Sequence, residues 1–112
     1  MKDSAVSYDN FASLDIQVGE IVQVEDFKRA RSPSYKVEVK FGDDGTRWSS
    51  AQITHYSKES LIGKQVVCVT NLPDRNIAGF MSQVLILGVP DCANNTILLQ
   101  PESGVELGVQ VF

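Results

Sequence analysis

Residues that carry reaction chemistry are scarce in this chain. One histidine and two cysteines occur among 112 residues. His55 has no cysteine or aspartate at a spacing that marks a triad, and no Cys/His pattern has metal-site spacing. Neither a Walker loop nor a Gly-x-Gly-x-x-Gly run is found. An enzyme, a resident metal and a cofactor are therefore not expected, and His55 reads as a polar surface residue beside Tyr56. Few cysteines also suit a reducing compartment. Cys68, inside Val66-Val67-Cys68-Val69, reads as a small buried hydrophobe, and Cys92 falls in a loop, so no disulfide is expected. No apolar run approaches the roughly 20 residues that span a bilayer. The polar, acidic opening Met1–Asn10 has the pattern of neither a signal nor a transit peptide. The expected location is the cytoplasm.

Positive charge is also short. Ten Lys and Arg stand against 14 Asp and Glu, a net charge of −4. Bulk charge therefore argues against a non-specific grip on nucleic acid. The distribution is uneven: residues 1–26 sum to −5, residues 27–40 to +4 and the remainder to −3. The basic segment holds Lys28, Arg29, Arg31, Lys36 and Lys40. Two readings stand for it, a solvated loop and strand face or a rim that binds an anion.

The hydrophobic fraction of 43% is that of an ordinary globular domain, and residues 1–112 read as one domain without linker or repeat. A short helix is predicted from about Asp9, its candidate cap, to Leu14. A first strand follows over 15–24, with its alternation phase-shifted at Gly19, which suggests a bulge or bend there. Tyr35 to Phe41 alternates strictly, with Tyr35, Val37, Val39 and Phe41 inward and Lys36, Glu38 and Lys40 toward water. Gly42 to Gly45 is a turn, and Thr46 to Ser50 completes a hairpin. Ser57 caps a short helix that Gly63 stops. Strands are predicted over 65–70, 84–89 and 97–100, the last leading by a turn into the tail 105–112.

Five main strands with a short helix between the third and fourth make an all-β, five-stranded Greek-key barrel of the OB type. A short N-terminal helix precedes it and a C-terminal extension follows. Such barrels bind ligands on strands two and three, framed by the loops between strands one and two and between strands four and five. The basic stretch Phe27–Pro33 is the first of these loops. The connection Asn71–Ser82, which carries Asn71, Arg75, Gly79 and Ser82, is the second. The expectation is that they share one mouth.

Leu14-Asp15-Ile16-Gln17-Val18-Gly19-Glu20-Ile21-Val22 resembles the opening of the tRNA-binding domain family. Ser49 to Thr54, Asn71 to Gly88, Leu98 to Glu102 and Gly108 are similar to its CsaA-type branch, export-related chaperones. The resemblance implies a homodimer, built largely by segments outside the barrel, with no cofactor. It implies binding of unfolded or precursor polypeptides, and affinity for tRNA as the alternative. Residue by residue it implies that Arg75 meets phosphate or a base edge, and that Asn71 and Ser82 hydrogen-bond to RNA. Gly79 admits close approach or a positive φ, and Ser50 and Gln52 line the same groove. Lys28, Arg29 and Arg31 are further RNA contacts.

Family members commonly carry a second basic residue at Asn76, a basic one at Met81 and an acidic one at Gln83. The loss of two cations weakens attraction to RNA, while Phe80 and Met81, with Phe27, offer apolar contact to a peptide. The balance tilts toward polypeptide as ligand. The bland readings are that Arg75 pairs with an acid such as Asp74 or Glu59, that Phe80 and Met81 plug the barrel end, and that Trp48 anchors the core or a dimer rather than serving as a base-stacking platform.

Overall fold

The computed structural model describes residues 4–112, the side chain of Asp44 excepted. The helix α1 (Tyr8–Ala12) comes first. Ser7, not Asp9, holds its N-cap position and makes no side-chain hydrogen bond. Asp9 sits instead in the first turn, where a carboxylate suits the unpaired N–H groups. The strands β1 (Ile16–Asp26), β2 (Tyr35–Lys40) and β3 (Thr46–Ala51) form an antiparallel meander. After α2 (Lys58–Leu61), β4 (Gln65–Val69) returns to pair with the first half of β1. Two short strands, β5 (Arg75–Ile77) and β6 (Phe80–Ser82), make a hairpin of their own. β7 (Leu85–Ile86) pairs with β4, and β8 (Gly88–Pro90) pairs with β9 (Thr96–Leu98). The sheet order β3-β2-β1-β4-β7 is that of an OB-fold barrel.

The barrel closes between β3 and residues 82–84 through individual hydrogen bonds rather than a regular ladder. Gln83 N donates to Trp48 O at 2.7 Å, and Trp48 N donates to Gln83 Oε1 at 2.9 Å. Ser50 N donates to Ser82 Oγ at 3.1 Å, and Ser49 Oγ donates to Val84 O at 2.8 Å. Inside, Ile21, Val37, Val39, Phe41, Ile53, Leu61, Val66 and Cys68 make the core. The alternation read from β2 holds, with Tyr35, Val37, Val39 and Phe41 all buried. Burial pushes the Cys68 thiol up to about 12, so it stays protonated, and both cysteines are free.

Two further expectations are corrected. The register shift in β1 falls between Ile21 and Gln23, not at Gly19. Gly19 is needed for packing, because a Cβ there would lie 2.5 Å from Val39 Cγ1 and 2.7 Å from Phe41 Cε1. The strand predicted over 84–89 is split into β7 and β8, since the chain leaves β4 to form the hairpin with β9. Polar Gln17 is buried, because the C-terminal segment lies along β1. Gly108 N donates to Val18 O, Val18 N to Val109 O and Val111 N to Ile16 O. The second helix is as read: Ser57 Oγ accepts from Ser60 N at 3.2 Å, and Gly63 has φ +88°. No helix among the described residues is long and apolar enough to cross a membrane.

Candidate functional site

The two loops expected to frame a ligand do meet. The loop after β1 turns back on itself through Phe27 N to Ser34 O and Ala30 N to Phe27 O. That turn drives the Phe27 ring inward, where it is only 5% exposed. The connection after β4 rises as the β5–β6 hairpin, whose turn is Ala78-Gly79. Both turn residues have positive φ, 50° and 88°, as in a type I′ turn, and Asn76 Oδ1 accepts from Gly79 N at 2.9 Å. The hairpin delivers Phe80 to the first loop. Phe80 and Phe27 pack edge to face with centroids 5.3 Å apart, and Trp48 of β3 meets Phe80 at 6.1 Å and 90°.

A single cation sits over this aromatic row. Lys36 Nζ lies 5.2 Å from the Phe27 centroid and 5.1 Å from that of Phe80. Such placement holds an ammonium without neutralising it. Half-buried Phe80 then separates two clefts. The first, about 370 Å³, is bordered by Phe27, Lys28, Arg29, Lys36, Gly79 and Phe80, with Asp26 at its edge. The second, about 360 Å³, is bordered by Glu25, Lys36, Trp48, Phe80, Met81 and Gln83. Asp26 is engaged by Lys58 at 2.9 Å, the one ion pair among the described residues. That pairing leaves the cations on the other side of the first cleft facing solvent.

The remaining expected contacts disperse. Arg31 borders a neighbouring hollow with Pro33, Ser34 and Thr54. Ser50, Arg75 and Ser82 border a smaller hollow of about 140 Å³, floored by Leu72, Ile77, Val84 and Leu85. Arg75 forms no ion pair with Asp74, Glu59 or any other acid among the described residues. Gln52 is exposed and lines none of these hollows. Asn71 is held at the α1–β1 junction: its Oδ1 accepts from Asp15 N at 2.8 Å, and its Nδ2 donates to Ser13 O at 2.9 Å. Both ends of the amide clamp the α1–β1 junction, which leaves one N–H and one oxygen lone pair for any further partner. Phe27 is a floor and not an exposed anchor, whereas Met81 is 46% exposed at a cleft lip.

Six residues at the groove were not among the expected contacts: Asp26 and Ala78 at the first cleft, Glu25, Trp48 and Gln83 at the second, and Lys36 at both. Lys36 was covered only by the open reading of the basic segment as an anion-binding rim, and Trp48 read first as an anchor. The usable signal was that both lie on strands two and three, the face an OB barrel presents to ligands. Trp48 is half-buried against Phe80 at the groove and is not a core residue. His55 is exposed and leans on Tyr56 at 4.5 Å, as read from sequence.

Comparison with known proteins returns a family and a fold. The family model described as a putative tRNA binding domain matches residues 16–110. The chain is 38% identical over 104 residues to a methionine–tRNA ligase of Methanococcoides burtonii, covering 92% of this chain and 15% of the ligase. It thus spans a small fraction of the curated relatives it matches. A crystal structure of a CsaA chaperone protein from Picrophilus torridus superposes with TM-score 0.91 at 43% identity, covering 96% of this chain and 100% of that one. One of chaperone CsaA from Bacillus anthracis gives 0.90 at 40%, covering 97% and 100%.

Proposed function

Because this chain belongs to the tRNA-binding domain family, we propose that it is a non-catalytic, homodimeric binding protein of the cytoplasm that holds tRNA in the groove between the 27–34 loop and the β5–β6 hairpin. The observation that carries this reading is the ammonium of Lys36, set over two aromatic rings between two open clefts. It replaces within the groove the positive charge that Asn76 and Met81 withhold. With Lys28 and Arg29 it makes a local cationic wall on an acidic protein. RNA binding needs such a wall, because phosphate contacts supply most of the affinity.

The test is tRNA affinity as a function of salt. Wild type should bind at 50 mM salt and lose affinity steeply toward 200 mM. Lys36→Met and the pair Lys28→Met, Arg29→Met should each flatten the slope of log K against log salt, by about 0.7–0.9 for every phosphate left without its cation. Arg75→Ala, outside both clefts, should cost less than Lys36→Met. Absence of tRNA binding at 50 mM salt, or variants with unchanged slopes, overturns the assignment.

A second reading, capture of non-native or precursor polypeptide in protein export, is favoured by the likeness to CsaA chaperones along their whole length and by exposed Met81 at the second cleft. It makes the opposite prediction on salt. Binding of an unfolded chain through apolar contact should be flat or strengthen as salt rises.

A further inference from the structure

The two clefts share one wall and one charge, and that pattern constrains the ligand more than a basic mouth alone does. Resting on the RNA reading, we propose that the groove takes two successive nucleotides of an unpaired strand, one base in each cleft on either side of Phe80, with the phosphate between them on Lys36. The clefts are nearly equal in volume, about 370 and 360 Å³. Besides Phe80, the nearly buried Phe27 ring floors the first and half-buried Trp48 borders the second. Lys36 stands at the divide, almost equidistant from the Phe27 and Phe80 centroids at 5.2 and 5.1 Å. The aromatic faces leave its N–H groups without a hydrogen-bond acceptor, so they remain available to an anion.

A ligand that fits this order must repeat as flat ring, anion, flat ring. A single-stranded nucleic acid has that repeat, and stacking on aromatic walls is how such strands are held without sequence preference. A paired strand is excluded, because its bases face their complements and cannot enter separate compartments. An extended polypeptide supplies no anion between successive side chains. The second cleft also offers polar contact to a base edge. Gln83 Oε1 is spent on Trp48 N, which leaves its NH₂ group free, and Glu25 accepts from Gln23 through only one oxygen. Donor and acceptor therefore both border the cleft that Trp48 walls.

Trp48 is the only tryptophan, so its fluorescence reports the second cleft directly. Wild type is titrated with adenosine monophosphate, an unpaired RNA hexanucleotide, a blunt RNA duplex of the same length, intact tRNA and a reduced unfolded polypeptide. The hexanucleotide should quench Trp48 and compete with tRNA, with the mononucleotide at least tenfold weaker and the duplex silent. Phe80→Leu and Lys36→Met should each lower hexanucleotide affinity about tenfold or more. Lys36→Arg should restore most of it, with unchanged far-UV circular dichroism confirming the fold of each variant. If tRNA binds but the hexanucleotide neither quenches nor competes, the two-nucleotide site falls while the tRNA reading stands. If neither binds, both fall. Equal binding of duplex and single strand, or quenching by the polypeptide alone, also overturns the proposal.

Discussion

At the scale of single residues, the most consequential side chain outside the groove is Asp15. Its carboxylate accepts from the hydroxyl of Thr70 at 2.7 Å and from the amides of Gln110 and Gln17. These hydrogen bonds, Thr70 first and then Gln110, hold its pKa below the usual aspartate value against the opposing effect of partial burial. A depressed folded-state pKa contributes stability that is present above the unfolded value of about 3.9 and is lost as pH falls through the folded one. Because Gln110 belongs to the segment laid along β1, acid should release that segment first. The expected outcome is that protection of the Val18 and Val111 amides from hydrogen exchange declines below about pH 4. Asp15→Asn, which cannot accept from all three donors, should remove that dependence. Urea midpoints and exchange protection measured from pH 3 to 6 check it. Asn71 belongs to the same junction, where its amide bridges Asp15 N and Ser13 O.

At the scale of elements, strands with one wet face were legible and the pieces that depart from that pattern were not. β2 reads directly because Tyr35, Val37, Val39 and Phe41 are buried in strict alternation. The first half of β1 does not, because the C-terminal segment buries Gln17 on the face that alternation gives to water. The convergence of the two loops was legible, since barrel topology fixes where they end. The β5–β6 hairpin was hidden by its turn: Ala78 occupies a left-handed conformation where Asn or Gly is the usual signal. The roles of Lys36 and Trp48 stayed open because a strand pattern tells inward from outward but not bare from ligand-covered. The hairpin makes its own prediction. Ala78 at φ 50° is strained in a way that asparagine tolerates better. Ala78→Asn should raise stability by up to about 1 kcal/mol in chemical denaturation, through the favoured Asn-Gly turn. Ala78 also borders the first cleft, so stability and not groove affinity is the readout.

At the scale of the whole molecule, the exposed apolar side chains are concentrated away from the groove. Val6 and Tyr8 are 74% and 72% exposed, and Phe112 is fully so. Phe11, Leu14, Val89, Ile97, Leu99, Val105, Val109 and Val111 add to them, all in α1 and its flanks, the β8–β9 hairpin or the C-terminal segment. These segments outside the barrel are where the proposed homodimer would be made, and covering their apolar groups would stabilise it. A twofold dimer presents two equivalent grooves, so one tRNA long enough to reach both gains affinity by effective concentration alone. A short oligonucleotide gains nothing. The double variant Val89→Lys, Ile97→Lys should therefore separate two quantities that a groove mutation lowers together. Light scattering should show a monomer, and tRNA affinity should fall by tenfold or more, toward the avidity range of about 10²–10⁴. Hexanucleotide affinity per protomer should stay at its wild-type value. If the double variant remains a dimer, these strands are not the interface. If wild type is itself a monomer at micromolar concentration, the avidity argument fails and tRNA affinity must come from one groove.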